Sequence, residues 1–467
     1  MADEFDVVVI GAGSTGENVA WRATDHGMSA AIVESGLVGG ECSYWACMPS
    51  KALLRPAEAL AAARRVPGAA EAVTGEIDVD AVLERRNDVT SNWDDTYQVR
   101  WLESIGAELV RGRGRLAGER TVEVELDDGS SRTLRATKAV VVATGSLSSI
   151  PPVPGLRDIT TWDNRDITSA EEAPESLFII GGGVVGCEMA QAWHSLGTGT
   201  VVLAEATDRL VSNLEPFAGE ELRAAMEGQG ITVRTGSAGR ADRVERDGDG
   251  PVTVTMADGS TYTTDEMLVA AGRRAATDDI GLETVGLEPG KWIDVDDTLR
   301  VTGVDADWLF AAGDVNGRAL LTHMGKYQAR VIGDVLAERE ITAWADNTAV
   351  PSVVFTEPQI ASVGMSEAEA RESGHEITVV SVGTGSVAGA TVYGRDIEGT
   401  CQLVIDDDDQ VVVGATFTGP GVQEMLHAAT VAVAGRVSLE ALWHSVPSYP
   451  TISEVWLRLF EEYRYRL

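Results

Sequence analysis

Two cysteines, Cys42 and Cys47, are the residues of this chain best suited to redox chemistry. They lie five positions apart, and Pro49 and Lys51 follow them closely. Proline is favoured in the first turn of a helix, so we expect a helix to begin here, with Cys47 near its positive end. That position stabilises a thiolate, the form of cysteine that exchanges electrons. The alternative is that both cysteines are small, buried apolar residues.

The charge of the chain limits its partners. The 467 residues carry a formal net charge of -36, and only four of the 37 basic residues are lysines. Such a field repels phosphate backbones and anionic lipids, so we expect neither nucleic acid nor a membrane surface as a partner. No apolar run reaches the roughly 18 residues of a membrane-spanning helix, and no signal-like segment opens the chain. We therefore expect a cytoplasmic protein, in which a stable structural disulfide is rare.

A glycine-rich segment precedes the cysteines. The β-branched run 5–10 leads into Gly11, Gly13 and Gly16, then into a helix-like stretch and a second strand that ends in Glu34. The glycines allow a tight turn and the close approach of a pyrophosphate to the helix start. Glu34 can accept hydrogen bonds from ribose hydroxyls. Strand, turn, helix and terminal acid together predict a dinucleotide site rather than a chance loop.

The same layout returns about 170 positions later. Its glycines are Gly181, Gly183 and Gly186, and its second strand ends in Glu205. Two such sites in one chain predict two dinucleotides. An acid at the end of the second strand favours NADH, whose ribose 2′-hydroxyl is unmodified, whereas NADPH usually calls for an arginine there. Arg209 is near enough in sequence to keep NADPH as the alternative.

The rest of the chain predicts an α/β architecture of three domains. The first covers 1–150 and is completed by about 275–346, the second covers 151–274, and the third covers 347–467 without a glycine motif. Short strands between 113 and 134 precede a separate buried strand at 138–143. The acidic run 406–409 has the composition of a solvated hairpin tip rather than a metal site, and Cys187 and Cys401 look like isolated buried thiols.

Here the chain resembles the pyridine nucleotide-disulfide oxidoreductases, which include dihydrolipoamide dehydrogenase, glutathione reductase and mercuric reductase. The segments that carry the resemblance span nearly the whole length: 11–16, 39–51, 143–145, 181–188, 312–314 and 355–358. The resemblance implies two Rossmann-like domains that bind FAD and NAD(P), and a C-terminal α+β dimerisation domain. It also implies a homodimer in which each subunit completes the active site of the other.

The resemblance assigns roles by position. Cys42 is the interchange thiol that meets the substrate, and Cys47 is the thiolate that forms a charge-transfer complex with the flavin. Lys51 lies beside the flavin and pairs with Glu188 near the nicotinamide, while Asp314 holds the ribityl chain. Exposed helix charges are the alternative for Lys51 and Glu188. The implied cofactor-binding residues are Gly11, Gly13, Gly16, Glu34, Lys51, Gly114, Thr144, Gly145, Asp314, Gly181, Gly183, Gly186, Glu205 and Gly272.

One departure from the family changes the proton chemistry. Most disulfide reductases of the family carry a His-Pro pair near the C-terminus, with a glutamate five residues after the histidine. Here Tyr449 occupies the histidine position and Glu454 remains. A tyrosine hydroxyl ordinarily has a pKa of about 10 and is a poor base at neutral pH, whereas a histidine, with a pKa of about 6.5, is a good one. The direction from NADH to an acceptor is therefore favoured. His444 is either a substitute base or a capping or interface residue.

The sequence leaves three candidates for the electron acceptor: a disulfide, a quinone and a metal ion. With a tyrosine at position 449 the chain resembles mercuric reductases, but residues 460–467 lack the second cysteine pair of those enzymes. Tyr44 and Trp45 replace small residues between the cysteines, and Glu41 replaces a threonine expected at an FAD phosphate. Trp45 either favours a compact or aromatic acceptor or fills space. The leading interpretation is an FAD- and NADH-dependent reductase of a small disulfide or other acceptor. Dihydrolipoamide dehydrogenase and a mercuric or quinone reductase-like flavoenzyme are the alternatives.

Overall fold

The computed structural model describes residues 2–466, in which strands and helices alternate along most of the chain. The strands are β1 (Asp3–Ile10), β2 (Ala30–Glu34), β3 (Glu108–Arg111), β4 (Arg113–Leu116), β5 (Thr121–Glu125), β6 (Ser131–Val142), β7 (Ser146–Ser148), β8 (Ser176–Ile180), β9 (Thr200–Glu205), β10 (Thr232–Thr235), β11 (Ala241–Arg246), β12 (Val252–Met256), β13 (Thr261–Thr264), β14 (Glu266–Val269), β15 (Arg273–Ala275), β16 (Leu309–Ala311), β17 (Ser352–Val354), β18 (Ile360–Gly364), β19 (Ile377–Gly383), β20 (Thr400–Asp406) and β21 (Val411–Thr418).

The helices are α1 (Ser14–Asp25), α2 (Gly40–Tyr44), α3 (Cys47–Arg65), α4 (Val79–Val89), α5 (Thr96–Ser104), α6 (Asn164–Ser169), α7 (Val184–Ser195), α8 (Pro216–Gln229), α9 (Thr322–Leu336), α10 (Ala345–Thr348), α11 (Glu367–Glu372), α12 (Ala388–Tyr393), α13 (Val422–Ala434), α14 (Leu439–Trp443) and α15 (Val455–Arg466). Between residues 2 and 466, none of them is both long and apolar enough to cross a membrane.

The chain divides into two compact units. The first consists of residues 1–49, 87–149 and 273–347, and the second of 50–86, 150–272 and 348–467. Residues 50–86, predicted from the sequence to lie in the first domain, group with the second unit. The bounds of the three predicted domains stay a prediction.

The first unit is built on a sheet with the strand order β3-β2-β1-β6-β5-β4, and β16 adds to it beside β6. Strand β1 is parallel to β2 and β6, and its two faces are both buried. Val7 and Val9 pack into one core, and Val8 and Ile10 pack into the other. A strand covered on both faces needs such a continuous apolar run. The glycine turn at the end of β1 therefore rests on a rigid support.

Strand β6 corrects one expectation from the sequence. The short strand before residue 134 and the buried strand at 138–143 are a single element, Ser131–Val142. Its residues 131–135 pair with β5 in an antiparallel hairpin, its residues 134–142 run parallel to β1, and the last three of these also run parallel to β16. The change from an exposed to a buried environment along one strand explains why the sequence pattern looked interrupted.

The second unit contains the second glycine motif, in a parallel sheet of order β10-β9-β8-β14. Leu177 and Ile179 of β8 face one core, and Phe178 faces the other. An antiparallel sheet, β11-β12-β13, follows in the chain, and the C-terminal part forms the antiparallel sheet β17-β18-β21-β20-β19. Both glycine motifs thus end a buried parallel strand and begin a helix.

The acidic run 406–409 connects β20 and β21, as expected of a hairpin tip, but it is not uniformly solvated. Asp406 is 3% exposed, and its carboxylate lies 2.6 Å from Nδ1 of His375. Tyr463 donates a hydrogen bond to Asp407. Hydrogen bonds from backbone amides and from His375 lower the pKa of Asp406. Within residues 2–466, no group of three or more His, Cys, Asp or Glu side chains is arranged to hold a metal ion.

Candidate active site

The first glycine motif forms a tight turn with one open face. Gly11 has φ +101°, and a Cβ there would lie 2.5 Å from the carbonyl oxygen of Ala143. A Cβ on Gly16 would lie 1.9 Å from the Gly11 oxygen, so both positions exclude a side chain. At Gly13, the N-cap of α1, a Cβ would meet nothing within 4 Å. The open space lies where a pyrophosphate would approach the helix start.

Glu34 closes this turn from the end of β2. Its Oε2 accepts a hydrogen bond of 2.7 Å from the amide of Ala12, and its Oε1 accepts one of 2.7 Å from the amide of Gly36. The carboxylate therefore holds the glycine turn in addition to any contact with a ribose.

The second glycine motif repeats the first in detail. Gly181 has φ +110°, and a Cβ there would lie 2.3 Å from the carbonyl oxygen of Ala270. A Cβ on Gly186 would lie 1.8 Å from the Gly181 oxygen, whereas one on Gly183 would meet nothing within 4 Å. Gly183 is the N-cap of α7. The same two positions are closed, and the same middle position is open.

Glu205 plays the part of Glu34 in the second unit. It accepts hydrogen bonds from the amides of Gly182, at 2.6 Å, and Thr207, at 2.7 Å. Arg209 donates from Nη2 to the carbonyl oxygens of Ser212 and Leu214. Its guanidinium is thus engaged with the backbone of its own loop, which bears on the choice between the two nicotinamide nucleotides.

The remaining predicted cofactor residues differ in their surroundings. A Cβ on Gly145 or Gly272 would meet nothing within 4 Å, and both have positive φ angles. Gly114 lies inside β4, where a Cβ would come within 3.0 Å of the Val33 side chain. The hydroxyl of Thr144 is buried and has no hydrogen-bond partner within residues 2–466. Packing alone explains the glycine at 114, and its contact with a cofactor stays a prediction.

Asp314 follows β16 and begins a short turn in the first unit. Ser146 donates a hydrogen bond of 2.6 Å from its hydroxyl to Oδ2 of Asp314. Burial raises the pKa of Asp314, while the contact with Ser146 and the charge of Arg273 lower it and the charge of Glu41 raises it. The carboxylate is therefore held in place by a network of its own.

The two predicted redox cysteines are brought together in the first unit. Cys42 lies in α2, and Cys47 is the first residue of α3. Their thiols are hydrogen-bonded, and this contact, followed by burial, raises the pKa of Cys42, while Thr322 and Lys326 lower it. The Sγ of Cys47 lies 3.3 Å from Oγ1 of Thr322, the first residue of α9. The structure holds the pair as thiols.

The aromatic residues between the cysteines have different environments. Tyr44 is 1% exposed, and its hydroxyl donates to the carbonyl oxygen of Val38. Trp93 donates from its indole nitrogen to the carbonyl oxygen of Tyr44 at 3.2 Å. Trp45 is half-buried, and its ring centroid lies 5.7 Å from that of Tyr44. Tyr44 therefore fills the core, whereas an effect of Trp45 on the acceptor stays a prediction.

Lys51 and Glu188 form an ion pair in the second unit. Nζ of Lys51 lies 2.7 Å from Oε2 of Glu188, whose side chain is 3% exposed. Oε1 of Glu188 accepts a hydrogen bond from the amide of Phe355, and the ring of Phe355 lies 4.7 Å from Nζ. Glu188 is therefore not a solvated helix residue, and Lys51, whose side chain is 34% exposed, is paired with it. Lys51 is held between a carboxylate and an aromatic face.

Gln191, one turn after Glu188 on α7, clamps the same backbone segment. It is 7% exposed, and its amide accepts from the nitrogen and donates to the oxygen of Glu357, both at 2.8 Å. Its Nε2 also donates to Gln229. The backbone on either side of Thr356 is thus fixed to α7 by two side chains.

The residues near the C-terminus are separated in exposure. Tyr449 is 75% exposed, whereas Glu454 is 8% exposed and accepts a hydrogen bond of 3.2 Å from the amide of Gly389. His444 is exposed and is the C-cap residue of α14. The structure thus gives Glu454 a backbone partner, and the role of Tyr449 stays a prediction.

Each glycine motif, together with the glutamate that closes its turn, forms a nucleotide cradle: Gly11, Gly13, Gly16 and Glu34 form the first, and Gly181, Gly183, Gly186 and Glu205 form the second. Two such cradles and one thiol pair in a single chain define an oxidoreductase that works with two nucleotide cofactors. The chain belongs to the pyridine nucleotide-disulfide oxidoreductase family, because residues 5–329 match that family and residues 350–459 match its dimerisation domain. It is therefore an FAD-dependent oxidoreductase that uses NAD(P)H, as the sequence predicted. The expected fold, two Rossmann-like domains and a C-terminal dimerisation domain, is confirmed.

Curated relatives carry two different names. Mercuric reductase of Staphylococcus aureus is 28% identical over 97% of this chain and 81% of its own length. Mercuric reductase of Streptomyces lividans is 32% identical, over 96% of this chain and 94% of its own. Dihydrolipoyl dehydrogenase of Chlorobaculum tepidum is 31% identical, over 97% of this chain and 96% of its own.

Solved structures share the fold. The Cu(II) complex of the HOCl-induced flavoprotein disulfide reductase RclA from Escherichia coli superposes with a TM-score of 0.85 at 24% identity, covering 98% of this chain and 99% of its own. LpdA from Mycobacterium tuberculosis gives a TM-score of 0.85 at 24% identity and covers 100% of both chains. At this identity the likeness concerns the fold alone.

Three residues that contact the candidate site were absent from the sequence prediction: Thr322, Arg273 and Gln191. Each lies more than 120 positions from its partner, as the contacts to Cys47, Ser146 and Glu357 demonstrate. No local sequence motif predicts contacts between residues so far apart in the chain.

Proposed function

We propose that this protein is an NADH-dependent flavoenzyme that reduces a small disulfide through Cys42 and Cys47. The observation that carries the proposal is the hydrogen-bonded thiol pair at the start of α3, with Thr322 against Cys47. Two thiols in contact are suited to alternate between dithiol and disulfide.

FAD is proposed to occupy the first unit. The open face at Gly13, at the start of α1, suits its pyrophosphate, and Glu34 suits its adenosine ribose. Gly145 leaves room beside the end of β6, and Asp314 would hold a ribityl hydroxyl. When bound, FAD supplies the two-electron step between a nicotinamide and the cysteine pair.

NADH is proposed for the second unit, in preference to NADPH. Gly183 leaves the space for a pyrophosphate, and Glu205 ends the strand at which the ribose is expected. A carboxylate there would repel a 2′-phosphate. Arg209, the residue that kept NADPH as an alternative, donates two hydrogen bonds to backbone carbonyl oxygens. The arrangement therefore favours the nucleotide with a 2′-hydroxyl.

Lys51 and Glu188 are proposed to orient the nicotinamide of the NADH that the second unit binds. A buried carboxylate at 2.7 Å and the ring of Phe355 restrict the position of the ammonium group. A fixed positive charge stabilises the negative charge that develops nearby during electron transfer. We infer that this pair serves the transfer from NADH rather than the later reduction of the acceptor.

The cysteines are proposed to divide the chemistry between them. Two electrons break the Cys42–Cys47 disulfide, which leaves a thiolate at Cys47 and, after proton uptake, a thiol at Cys42. The thiolate form of Cys42 then attacks the acceptor disulfide, forms a mixed disulfide and releases one thiol. Attack by Cys47 on Cys42 releases the second thiol and restores the original disulfide. Each cycle consumes one NADH and one proton for one disulfide reduced to two thiols, with NAD⁺ as a product.

The identity of residue 449 supports the reductive direction. A tyrosine hydroxyl is a hydrogen-bond donor and a poorer base than an imidazole, so Tyr449 can assist a departing thiolate but is ill suited to remove a proton. Oxidation of a dithiol would need such a base. A tyrosine at position 449 disfavours dihydrolipoamide oxidation, although relatives with the name dihydrolipoyl dehydrogenase are about as similar as the mercuric reductases.

A metal ion is the second candidate acceptor. Several relatives are mercuric reductases, and RclA is described as a Cu(II) complex. Two adjacent thiols are soft ligands that suit Hg²⁺ or copper. Cys42 and Cys47 are the pair that would receive such an ion.

A homodimer is the proposed assembly. Residues 350–459 match the dimerisation domain of the family, and Tyr449 and Val446 lie exposed near its end, at 75% and 83%. Burial of these side chains by a second copy would remove apolar surface from water. Tyr449 would then meet the redox pair of the partner.

Acceptor reduction by the Cys42→Ser variant tests the proposal. The purified holoenzyme is reduced with NADH and offered glutathione disulfide, a quinone, Hg²⁺ and Cu²⁺ in turn. We expect flavin reduction to remain and disulfide reduction to fall by at least about a thousandfold, because the attacking sulfur is gone. Cys401→Ser, which alters a buried thiol, is the control. Undiminished disulfide reduction by Cys42→Ser would contradict the proposal. Dihydrolipoamide oxidation by the unchanged enzyme would reverse the direction.

A further inference from the structure

Asp314 sits in a turn whose backbone and side chain are both constrained. Gly313, before it, has φ 79° and ψ -157°, a conformation open almost only to glycine. The Gly313 amide donates to Oε1 of the fully buried Gln328 at 2.7 Å. Ser146 donates to Oδ2 of Asp314 at 2.6 Å. The carboxylate therefore points in one direction before any ligand arrives.

Arg273 determines how Ser146 uses its hydroxyl. Nε of Arg273 donates to Oγ of Ser146 at 2.9 Å, and Nη2 donates to the Ser146 carbonyl oxygen at 2.7 Å. A serine hydroxyl has one hydrogen to donate. Because Arg273 occupies a lone pair of that oxygen, the hydrogen is directed to Asp314. Strands β7 and β15 are antiparallel neighbours in which Ala275 lies opposite Ser146 and Arg273 lies opposite Ser148, so the Arg273 side chain reaches Ser146 diagonally across the pair.

The charges around Asp314 oppose one another. Burial and the charge of Glu41, on α2, favour the protonated carboxyl, whereas Ser146 on β7 and Arg273 on β15 favour the carboxylate. A bound FAD would add the two negative charges of its pyrophosphate to the first group. A protonated carboxyl would lose part of its capacity to accept hydrogen bonds from hydroxyl groups.

We propose that Arg273, acting through Ser146, is a positioning residue that fixes the Asp314 carboxylate as the acceptor for a ribityl hydroxyl of FAD. The inference rests on the proposed placement of FAD in the first unit. Arg273 acts on Asp314 through the hydroxyl of Ser146, so we expect its effect to be on cofactor retention. We expect this effect to grow as the pH falls, because Arg273 opposes protonation of Asp314.

The chain offers a matched control one residue away. Arg274 lies in the same strand and pairs with Asp278 on the surface, where the two side chains are 46% and 55% exposed. Removal of either arginine changes the net charge equally. Only removal of Arg273 disturbs the hydrogen bond that Ser146 accepts from Arg273 and, through it, the one that Ser146 donates to Asp314.

The experiment measures the dissociation constant of FAD from the apoprotein between about pH 5 and pH 8, by quenching of flavin fluorescence. We expect Arg273→Met to weaken FAD binding about tenfold at pH 5 and about threefold at pH 8, since a charge-assisted hydrogen bond is lost. Ser146→Ala should reproduce the same pH trend. Arg274→Met should follow the wild-type curve within about twofold, as exposed ion pairs contribute little.

A double mutant identifies the route of the effect. In an Asp314→Asn background no carboxylate remains to be held, so Arg273→Met should add no pH-dependent loss. If the FAD dissociation constants of wild type and Arg273→Met differ by the same factor at every pH, the proposal is overturned. It is also overturned if Arg273→Met adds the same pH-dependent loss of FAD binding in the Asp314→Asn background as in the wild type. If Arg273→Met fails to fold, Ser146→Ala decides in the same way. A wild-type apoprotein that binds no FAD at any pH would instead refute the proposed function.

Discussion

The two nucleotide cradles are nearly identical in geometry, yet the chain after each one differs. In both, the first and third glycines exclude a side chain, the middle glycine faces open space, and a glutamate accepts two loop amides. After Glu34 the chain leads into the redox cysteines of α2 and α3. After Glu205 it leads to Arg209 and α8. The motif thus specifies a way to hold a pyrophosphate, and the segment that follows specifies the chemistry.

The largest effect should come from a methyl group at the third glycine of either cradle. Gly16→Ala and Gly186→Ala each place a Cβ against a carbonyl oxygen, at 1.9 and 1.8 Å, so the turn must open. We expect Gly16→Ala to retain less than about a tenth of the FAD, and Gly186→Ala to keep FAD but to raise the KM for NADH at least about tenfold. Flavin absorbance and steady-state kinetics measure the two results.

Gly228→Ala is the control for this pair, because a Cβ in that helix position meets nothing within 4 Å. Loss of FAD from Gly186→Ala, with Gly16→Ala unaffected, would invert the assignment of the two cradles.

The two glutamates should show a smaller and equally selective effect. A glutamine offers one acceptor and one amino group, so Glu34→Gln or Glu205→Gln leaves one loop amide facing a donor. We expect Glu34→Gln to weaken FAD binding, and Glu205→Gln to weaken NADH binding, each about tenfold. Titration of each nucleotide measures the loss, with the exposed Glu220→Gln as the control. If Glu205→Gln binds NADPH no better relative to NADH, the proposed basis of nucleotide choice is wrong.

Thr322 distinguishes the region after the first cradle. Thr322→Val removes the hydroxyl that lies 3.3 Å from the Cys47 sulfur. Because that hydroxyl can donate to a thiolate, we expect the long-wavelength absorbance of the two-electron-reduced enzyme to appear at a pH higher by about half a unit to one unit. Thr322→Ser should restore the original profile. A band that titrates identically in Thr322→Val would exclude a role for the hydroxyl in tuning the thiolate.

The smallest effect concerns a buried carboxyl beneath the Asp314 turn. Gln328 donates to Asp346 at 2.8 Å, and burial raises the pKa of Asp346 to about 6. The folded state thus binds this proton more tightly than the unfolded chain, so the protonated group adds stability at low pH that is lost as the pH rises through 6. Asp346→Asn should therefore gain a few degrees in Tm relative to wild type on going from about pH 4.5 to 7.5.

Asp297→Asn, at a carboxyl that is 62% exposed and faces the same Arg318, is the control for Asp346→Asn. A Tm difference between Asp346→Asn and wild type that does not change with pH would contradict the assignment of this group.

Local patterns predicted the parts of the molecule that local forces build. Both glycine turns, the buried strands before them and the helix that begins at Cys47 follow from rules that act over a few residues. The ion pair of Lys51 with Glu188 was reached from the family resemblance, and the structure contains it. Burial of Cys187 and Cys401 also followed expectation.

Contacts between distant segments were beyond reach. Thr322 is 275 positions from Cys47, and Arg273 is 127 from Ser146. Neither threonine after a loop nor arginine at the start of a strand has a pattern that names its partner. Asp406 looked solvated because its neighbours are acidic, and only the fold brings His375 to it. The pairing of cradle with cofactor, the acceptor and the cytoplasmic location stay predictions.

The attachment of the backbone around Thr356 to helix α7 has a consequence for hydrogen exchange. The amides of Phe355 and Glu357 lie outside the helices and strands, yet each donates to the side chain of a buried residue, Glu188 or Gln191. Protons held in this way exchange with solvent deuterium only when the local contacts open. Slow deuterium uptake by these two loop amides would report the integrity of the Lys51 environment in the resting protein, with no substrate added.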